Sequence, residues 1–91
     1  MTKLELIGRM EAAAGISREQ AKLALEAFTD GVTESLSAGR DVRLTGFGSF
    51  VMAERKAGLA RNPQTGETIA RQASRTARFR PGEGLKSALN G

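Results

Sequence analysis

Between Ala53 and Arg78 the chain carries only two large apolar side chains, Leu59 and Ile69. A segment of this length with so little apolar surface has almost nothing to bury against a body, so the fold must leave it outside the core. At its centre stands Arg61-Asn62-Pro63-Gln64-Thr65-Gly66. Pro63 fixes φ for a turn, Asn62 can hydrogen-bond the backbone ahead of it, and Gly66 can take the positive φ that closes such a loop. The chain therefore reverses here, and two strands leaving the turn are expected to project into solvent. The same window holds Arg55, Lys56, Arg61, Arg71, Arg75 and Arg78 against Glu54 and Glu67. A projecting positive hairpin with a rigid proline at its tip is shaped to reach around a polyanion, with duplex DNA the first candidate.

The rest of the chain must supply the body. Of ninety-one residues, nineteen are Leu, Ile, Val or Phe, and seventeen of them fall outside the twenty-six arm residues. That density is workable in a single small domain, but burial is thin at this size and a partner chain is expected to supply the missing core. Charge is segregated as well. Residues 1–54 hold six basic and eight acidic groups, whereas residues 55–91 hold eight basic and two acidic, the pattern of a near-neutral scaffold carrying a cationic surface. The absence of Cys and His removes disulfides, thiolate metal sites and the commonest general base. No apolar run approaches a membrane span or a signal-peptide core, so a cytosolic protein is expected.

Two helices are predicted first. Thr2-Lys3-Leu4-Glu5 fits a capping box, Leu6, Ile7, Met10, Ala13 and Ala14 recur at helical spacing, and Gly15 is placed to end the helix in a left-handed conformation. Ser17-Arg18-Glu19-Gln20 repeats the box. The second helix presents Ala21, Leu25, Phe28, Val32 and Leu36 on one stripe and stops at Gly39, so the pair forms a helical hairpin or a helix-turn-helix-like corner. Gly31 lies inside it at about 1 kcal/mol relative to Ala, a tolerated weak spot or a place of close helix approach. Asp41-Val42-Arg43-Leu44 then alternates with period two, Thr45-Gly46-Phe47-Gly48 turns, Ser49-Phe50-Val51-Met52 resumes extended structure, and Thr76-Ala77-Arg78-Phe79-Arg80 alternates again. These give three antiparallel strands. Pro81-Gly82 breaks the last one, and Leu85, Ala88 and Leu89 mark a short final helix.

Catalysis has no visible apparatus. Gly46-Phe47-Gly48 lacks the third glycine of a dinucleotide fingerprint and is followed by a strand. Glu5, Glu11, Glu19 and Glu26 lie on helices among basic residues, as solvated faces do, and no serine has a histidine to activate it. Phe47, Phe50 and Phe79 flank the expected sheet. They could form a stacking platform for single strands, but a body with so few large side chains needs these rings in its core or dimer interface.

Gly46-Phe47-Gly48-Ser49-Phe50, then Arg61-Asn62-Pro63-Gln64-Thr65-Gly66, then Phe79-Arg80-Pro81-Gly82 resemble the bacterial HU/IHF family of nucleoid-associated DNA-bending proteins, closest to HU, along the whole chain. The resemblance implies an α+β fold: an intertwined dimer with a helical base over residues 1–40, a sheet body over 41–54 and 76–81, a DNA-binding β-arm over 55–75 and a C-terminal helix over 82–90. It implies that two arms embrace the duplex through the minor groove and that Pro63 inserts between base pairs at a kink. Arg61 and Asn62 would lie against the groove floor and backbone, Arg55, Arg71 and Arg75 would line the arm, and Lys3, Arg80 and Lys86 would meet phosphates on the body. Phe28, Phe47, Phe50 and Phe79 would belong to the dimer core.

Gly58, Leu59, Ala60, Gln72, Ala53 and Glu83 depart from the family pattern, most of them where a basic side chain is common, which removes potential phosphate contacts but leaves the tip intact. The expectation is a non-enzymatic, cofactor-free, metal-free homodimer that binds double-stranded DNA with little sequence specificity, bends it and compacts the bacterial nucleoid. Two alternatives stand beside it: a site-specific IHF-like subunit paired with a paralogue in a heterodimer, and an RNA-binding protein using the same basic arm.

Overall fold

A computed structural model describes residues 1–91 as two compact units, Met1–Glu34 and Ser35–Gly91. In the first, helix α1 (Lys3–Ala14) begins as the sequence predicts, with the Glu5 amide donating to Thr2 Oγ1 at 3.2 Å. The return bond from the Glu5 side chain is not made, so only half of that capping box forms. The second box is complete. The Ser17 amide donates to Gln20 Oε1 at 3.0 Å and the Gln20 amide to Ser17 Oγ at 3.1 Å, opening helix α2 (Arg18–Ser37). Between the helices Gly15 adopts φ 65°, and its amide reaches back to the Glu11 carbonyl at 3.0 Å. Ile7, Ala21 and Leu25 are buried where the helices meet, with Leu6, Met10 and Ile16 packed around them. A side chain at Gly31 would meet open space within the chain, so no helix of this chain approaches it closely.

Helix α2 ends in the second unit. Gly39, at φ 77°, donates to the Leu36 carbonyl at 3.0 Å and Arg40 to the Ser35 carbonyl at 2.8 Å, the paired bonds of a Schellman ending. Three antiparallel strands follow in the order β1–β2–β5: β1 (Val42–Leu44), β2 (Gly48–Arg55) and β5 (Ser74–Pro81). The β1–β2 turn is closed by the Phe47 amide on the Leu44 carbonyl at 2.9 Å, with Gly46 at φ 86° in the third position, where such turns need glycine. Helix α3 (Glu83–Asn90) is docked onto that turn by its first residues. Gly82 donates to the Phe47 carbonyl at 2.7 Å, and a Cβ on Gly84 would stand 2.7 Å from the Gly46 carbonyl oxygen.

Strands β3 (Gly58–Arg61) and β4 (Thr68–Arg71) form a separate two-stranded arm. The ladder of β2 and β5 ends at Arg55 opposite Ser74, and that of the arm begins at Gly58 opposite Arg71. Pairing therefore lapses over Lys56–Ala57 on one side and Gln72–Ala73 on the other. Because the two gaps are equal in length, the arm resumes in the register of the body, without a bulge. Sequence reading divides arm from body at residues 55 and 75 but gives no sign of this gap.

Burial is thin throughout. Only Ile7, Ala21, Leu25 and Val51 are buried apolar residues, and no large side chain is fully enclosed. Phe47 is 49% exposed, Phe28 41% and Phe79 38%. No helix is long and apolar enough to cross a membrane.

Candidate nucleic-acid interface

The arm tip is held by its own backbone. Asn62 donates its amide to the Glu67 carbonyl at 2.8 Å, accepts the Gly66 amide on its carbonyl at 2.7 Å, and accepts the Gln64 amide on Oδ1 at 2.9 Å. Thr65 Oγ1 takes the Glu67 amide at 3.3 Å, and Gly66 closes the loop at φ 75°. These bonds account for the Asn-Pro-x-x-Gly spacing. The side chain of Asn62 bridges the turn, Pro63 has no amide to satisfy, and only glycine takes the closing conformation without strain. Pro63 is left exposed at the apex while half-buried Asn62 supports it. With Oδ1 engaged in the turn, the side chain of Asn62 turns its Nδ2 donors to an outside partner.

Side-chain alternation sorts the basic residues into two groups. On one face of the sheet Val42, Leu44, Phe50, Met52, Ala77 and Phe79 stand together. The Phe79 ring lies 5.4 Å from that of Phe47 and 5.2 Å from that of Phe50, tilted against both. Gly48 makes room for this cluster. A Cβ there would run into the Phe79 ring and come within 2.6 Å of the Arg80 carbonyl oxygen. The other face carries Arg43 and Arg80 on either side of Ser49, then Arg78 beside Val51, then Arg55 beside Ser74. The four arginines are exposed, and none makes an ion pair; the pairs in the chain are Arg18 with Glu11 at 3.8 Å and Lys86 with Glu83 at 3.9 Å. Their charge is available to an external anion.

On the arm, Leu59, Arg61, Thr68 and Ala70 share one face, all of them exposed. Arg71 belongs to the other face and is half-buried. It lies by Gly58, a Cβ on which would stand 3.6 Å from its Nη2, and its Nε is buried without a hydrogen-bond partner. Arg75, expected to line the arm, is turned back onto the body: its Nη2 donates to the carbonyls of Leu36 and Ser37. Between Arg55, Lys56 and Arg75 the lapse in the ladder opens a cleft of about 540 Å³ lined also by Glu54, Ala57, Ala73 and Ser74.

The structure thus brings Arg55 and Arg80 together on one sheet face, sets Arg61, Asn62 and Pro63 at the tip, and gives Arg71 and Arg75 intramolecular neighbours. Lys86 lies on α3 with Glu83 beside it, and Lys3 is the first residue of α1 in the other unit. Arg78 is counted in the sequence only as part of the basic window, with no contact assigned, and Arg43 is not singled out at all. The signal was present: in Asp41-Val42-Arg43-Leu44 and Thr76-Ala77-Arg78-Phe79-Arg80 the arginines alternate with the apolar residues, which puts them on the opposite face.

Residues 1–90 match the family model described as Bacterial DNA-binding protein. The chain is 61% identical over 89 residues to DNA-binding protein HU of Caulobacter vibrioides, covering 98% of this chain and 97% of that protein. It is 48% identical over 90 residues to DNA-binding protein HU-beta of Escherichia coli, covering 99% and 100%. Among solved structures it is similar to the Anabaena HU-DNA cocrystal structure, with a TM-score of 0.88 at 36% identity over 98% of this chain and 97% of that one. HU from Thermotoga maritima superposes with a TM-score of 0.68 at 29% identity, covering 98% of each chain.

Proposed function

The chain belongs to the bacterial DNA-binding protein family, a family of architectural proteins rather than enzymes, and from that membership we propose that it binds double-stranded DNA with little sequence preference and bends it. In this reading two chains associate and each contributes one arm. The arms lie in the minor groove with Pro63 inserted at a kink, as an apolar wedge between base steps. The protein acts in the cytoplasm, on the nucleoid.

The observation that carries the reading is the exposed Pro63 on a hydrogen-bonded tip, at the end of a ribbon whose Arg55 and Arg61 have no intramolecular charge partner. Arginines on a sheet face and an arm meet phosphates regardless of sequence, giving affinity that falls steeply with salt. The minor groove offers a degenerate donor and acceptor pattern, so arms lying there sense width and flexibility more than base identity. Unstacking a step costs a few kcal/mol, offset by the additional surface that a bent duplex contacts. Nicked or distorted DNA, where part of that cost is already met, is the favoured ligand. Arg43 and Arg78 join Arg55, Arg61, Arg80, Lys3 and Lys86 as phosphate contacts, whereas Arg71 and Arg75 shape the arm.

Association as a homodimer is supported by what one chain leaves uncovered: Phe28, Phe47 and Phe79 are large aromatic side chains with more than a third of their surface exposed. Sedimentation of the purified protein with and without a short nicked duplex, together with energy transfer between dyes at the duplex ends, tests the proposal. Two chains per duplex with a bent end-to-end distance support it; a monomer, or a duplex left straight at saturation, refutes it. Competition between random and operator-like duplexes tests the heterodimer reading, since a site-specific protein favours its site by roughly 10³ or more. Matched RNA duplexes test the RNA reading.

A further inference from the structure

Leu59 is 75% exposed, on the same face of the arm as Arg61. The register is the same on both sides of the lapse in pairing, so Leu59 and Arg61 alternate in phase with Arg55, whose sheet face also holds Arg78, Arg80 and Arg43. Arg55 and Arg61 are six residues apart, about 20 Å along an extended strand. The stretch between them on this face is Ala57 and Leu59, with Ala70 directly across from Leu59. A surface that presents cations at both ends and an aliphatic strip between them is complementary to a ligand with the same alternation. The backbone of a deoxyribonucleic acid offers it over the several nucleotides that such a span covers, where the surface between two contacted phosphates includes sugars whose C2′ carries no hydroxyl. Ile69, also on the arm and 51% exposed, lies on the opposite face with Arg71 and does not belong to this strip.

We propose that Leu59 is a DNA-contacting and sugar-discriminating residue: it packs against the deoxyribose wall of the groove between the phosphates met by Arg55 and Arg61. The inference rests on the duplex-binding reading above and deepens it. Leu59 releases no counterion, so it adds affinity that does not fall with salt, on top of the arginines' contribution, which does. It also disfavours RNA, because an A-form minor groove presents 2′-hydroxyls that an aliphatic side chain would strip of water without replacing their hydrogen bonds.

Fluorescence anisotropy with a nicked DNA duplex and its all-RNA counterpart, each titrated across a series of salt concentrations, tests this in the full chain. Leu59→Ala should weaken DNA binding by about 5- to 20-fold at every salt concentration, leave the slope of log affinity against log salt unchanged, and shrink the preference for DNA over RNA. Leu59→Met should restore most of the loss, and Leu59→Arg should steepen the slope by about one. An unaltered affinity in Leu59→Ala, or a loss in which DNA and RNA affinities fall equally, overturns the proposal. A thermal melt identical to that of the parent protein checks that the arm change has not disturbed the body; if the melt is lowered, the Leu59→Arg slope decides, and an unchanged slope there also overturns it. Failure of the unaltered protein to bind duplex DNA refutes instead the reading on which this one rests.

Discussion

Arg75 Nη2 stands 2.9 Å from the carbonyl oxygen of Leu36, in the last turn of α2, and 3.0 Å from that of Ser37. Helix α2 has no basic residue in its own last turn. Strand β5 therefore supplies, from thirty-nine residues away, the positive charge and the donor that the end of a helix favours. Arg75 lies immediately below the point where arm pairing lapses, so this bond fixes the root of the arm to the body.

Replacing Arg75 with alanine should lower stability by about 1 kcal/mol, the usual worth of a cation at an exposed helix end. Arg75→Lys should recover only part, since a single ammonium does not reproduce the planar guanidinium. Thermal melts at low and high salt measure both effects, with the difference between parent and variant narrowing as salt rises. Coincident melting curves at low salt would remove the capping role.

Pro63→Ala should keep much of the affinity for duplex DNA while losing the bend. The turn bonds that run through Asn62, Thr65 and Gly66 do not involve the proline ring, so the tip should retain its shape without its wedge. Energy transfer between dyes at the duplex ends reports the bend angle; equal angles for variant and parent would rule out insertion by Pro63.

Arg61→Ala should reduce the magnitude of the slope of log affinity against log salt by about one, and Arg43→Ala and Arg78→Ala should each do the same if the sheet face meets phosphate. A slope that stays put in either sheet variant excludes that residue from the interface. Since none of these arginines has an ion-pair partner in the chain, their removal should leave the melting temperature nearly unchanged.

Gly48→Ala should destabilise the body by about 1–3 kcal/mol, because its methyl group collides with the Phe79 ring and the Arg80 carbonyl, and these can give way only by breaking up the aromatic cluster or the strand pair. Denaturant midpoints measure it. Full retention of stability would mean that the ring relocates freely.

The melting temperature of the unaltered protein should rise with protein concentration, as it does whenever association is linked to folding. A single chain buries four apolar residues and leaves the Phe47 and Phe79 rings partly in water, so its stability alone should be marginal. A concentration-independent melt would contradict the dimer.

Much of this architecture is legible in the residues because it depends on local chemistry. Thr2, Gly15, Ser17, Gln20 and Gly39 mark the helix ends through bonds spanning at most five positions, and Asn62, Pro63 and Gly66 mark the tip in the same way. Alternation in β1 and β5 announces the sheet. What stays hidden is set by contacts between distant segments. Nothing around Arg75 says that its guanidinium will find Leu36, and Gly48 looks like a turn residue until the ring of Phe79 lies over it. The lapse at Lys56–Ala57 has no turn or bulge residue to signal it, and its match at Gln72–Ala73 emerges only when the two strands are aligned.

That matched lapse has a mechanical consequence. A joint made by dropping the same number of rungs from both rails leaves neither rail longer than the other, so it does not skew the arm. The six-residue step from Arg55 to Arg61 on one rail matches the six from Ser74 to Thr68 on the other. Both strands of the finger thus reach its tip over the same length of chain, and the tip stands square to the palm.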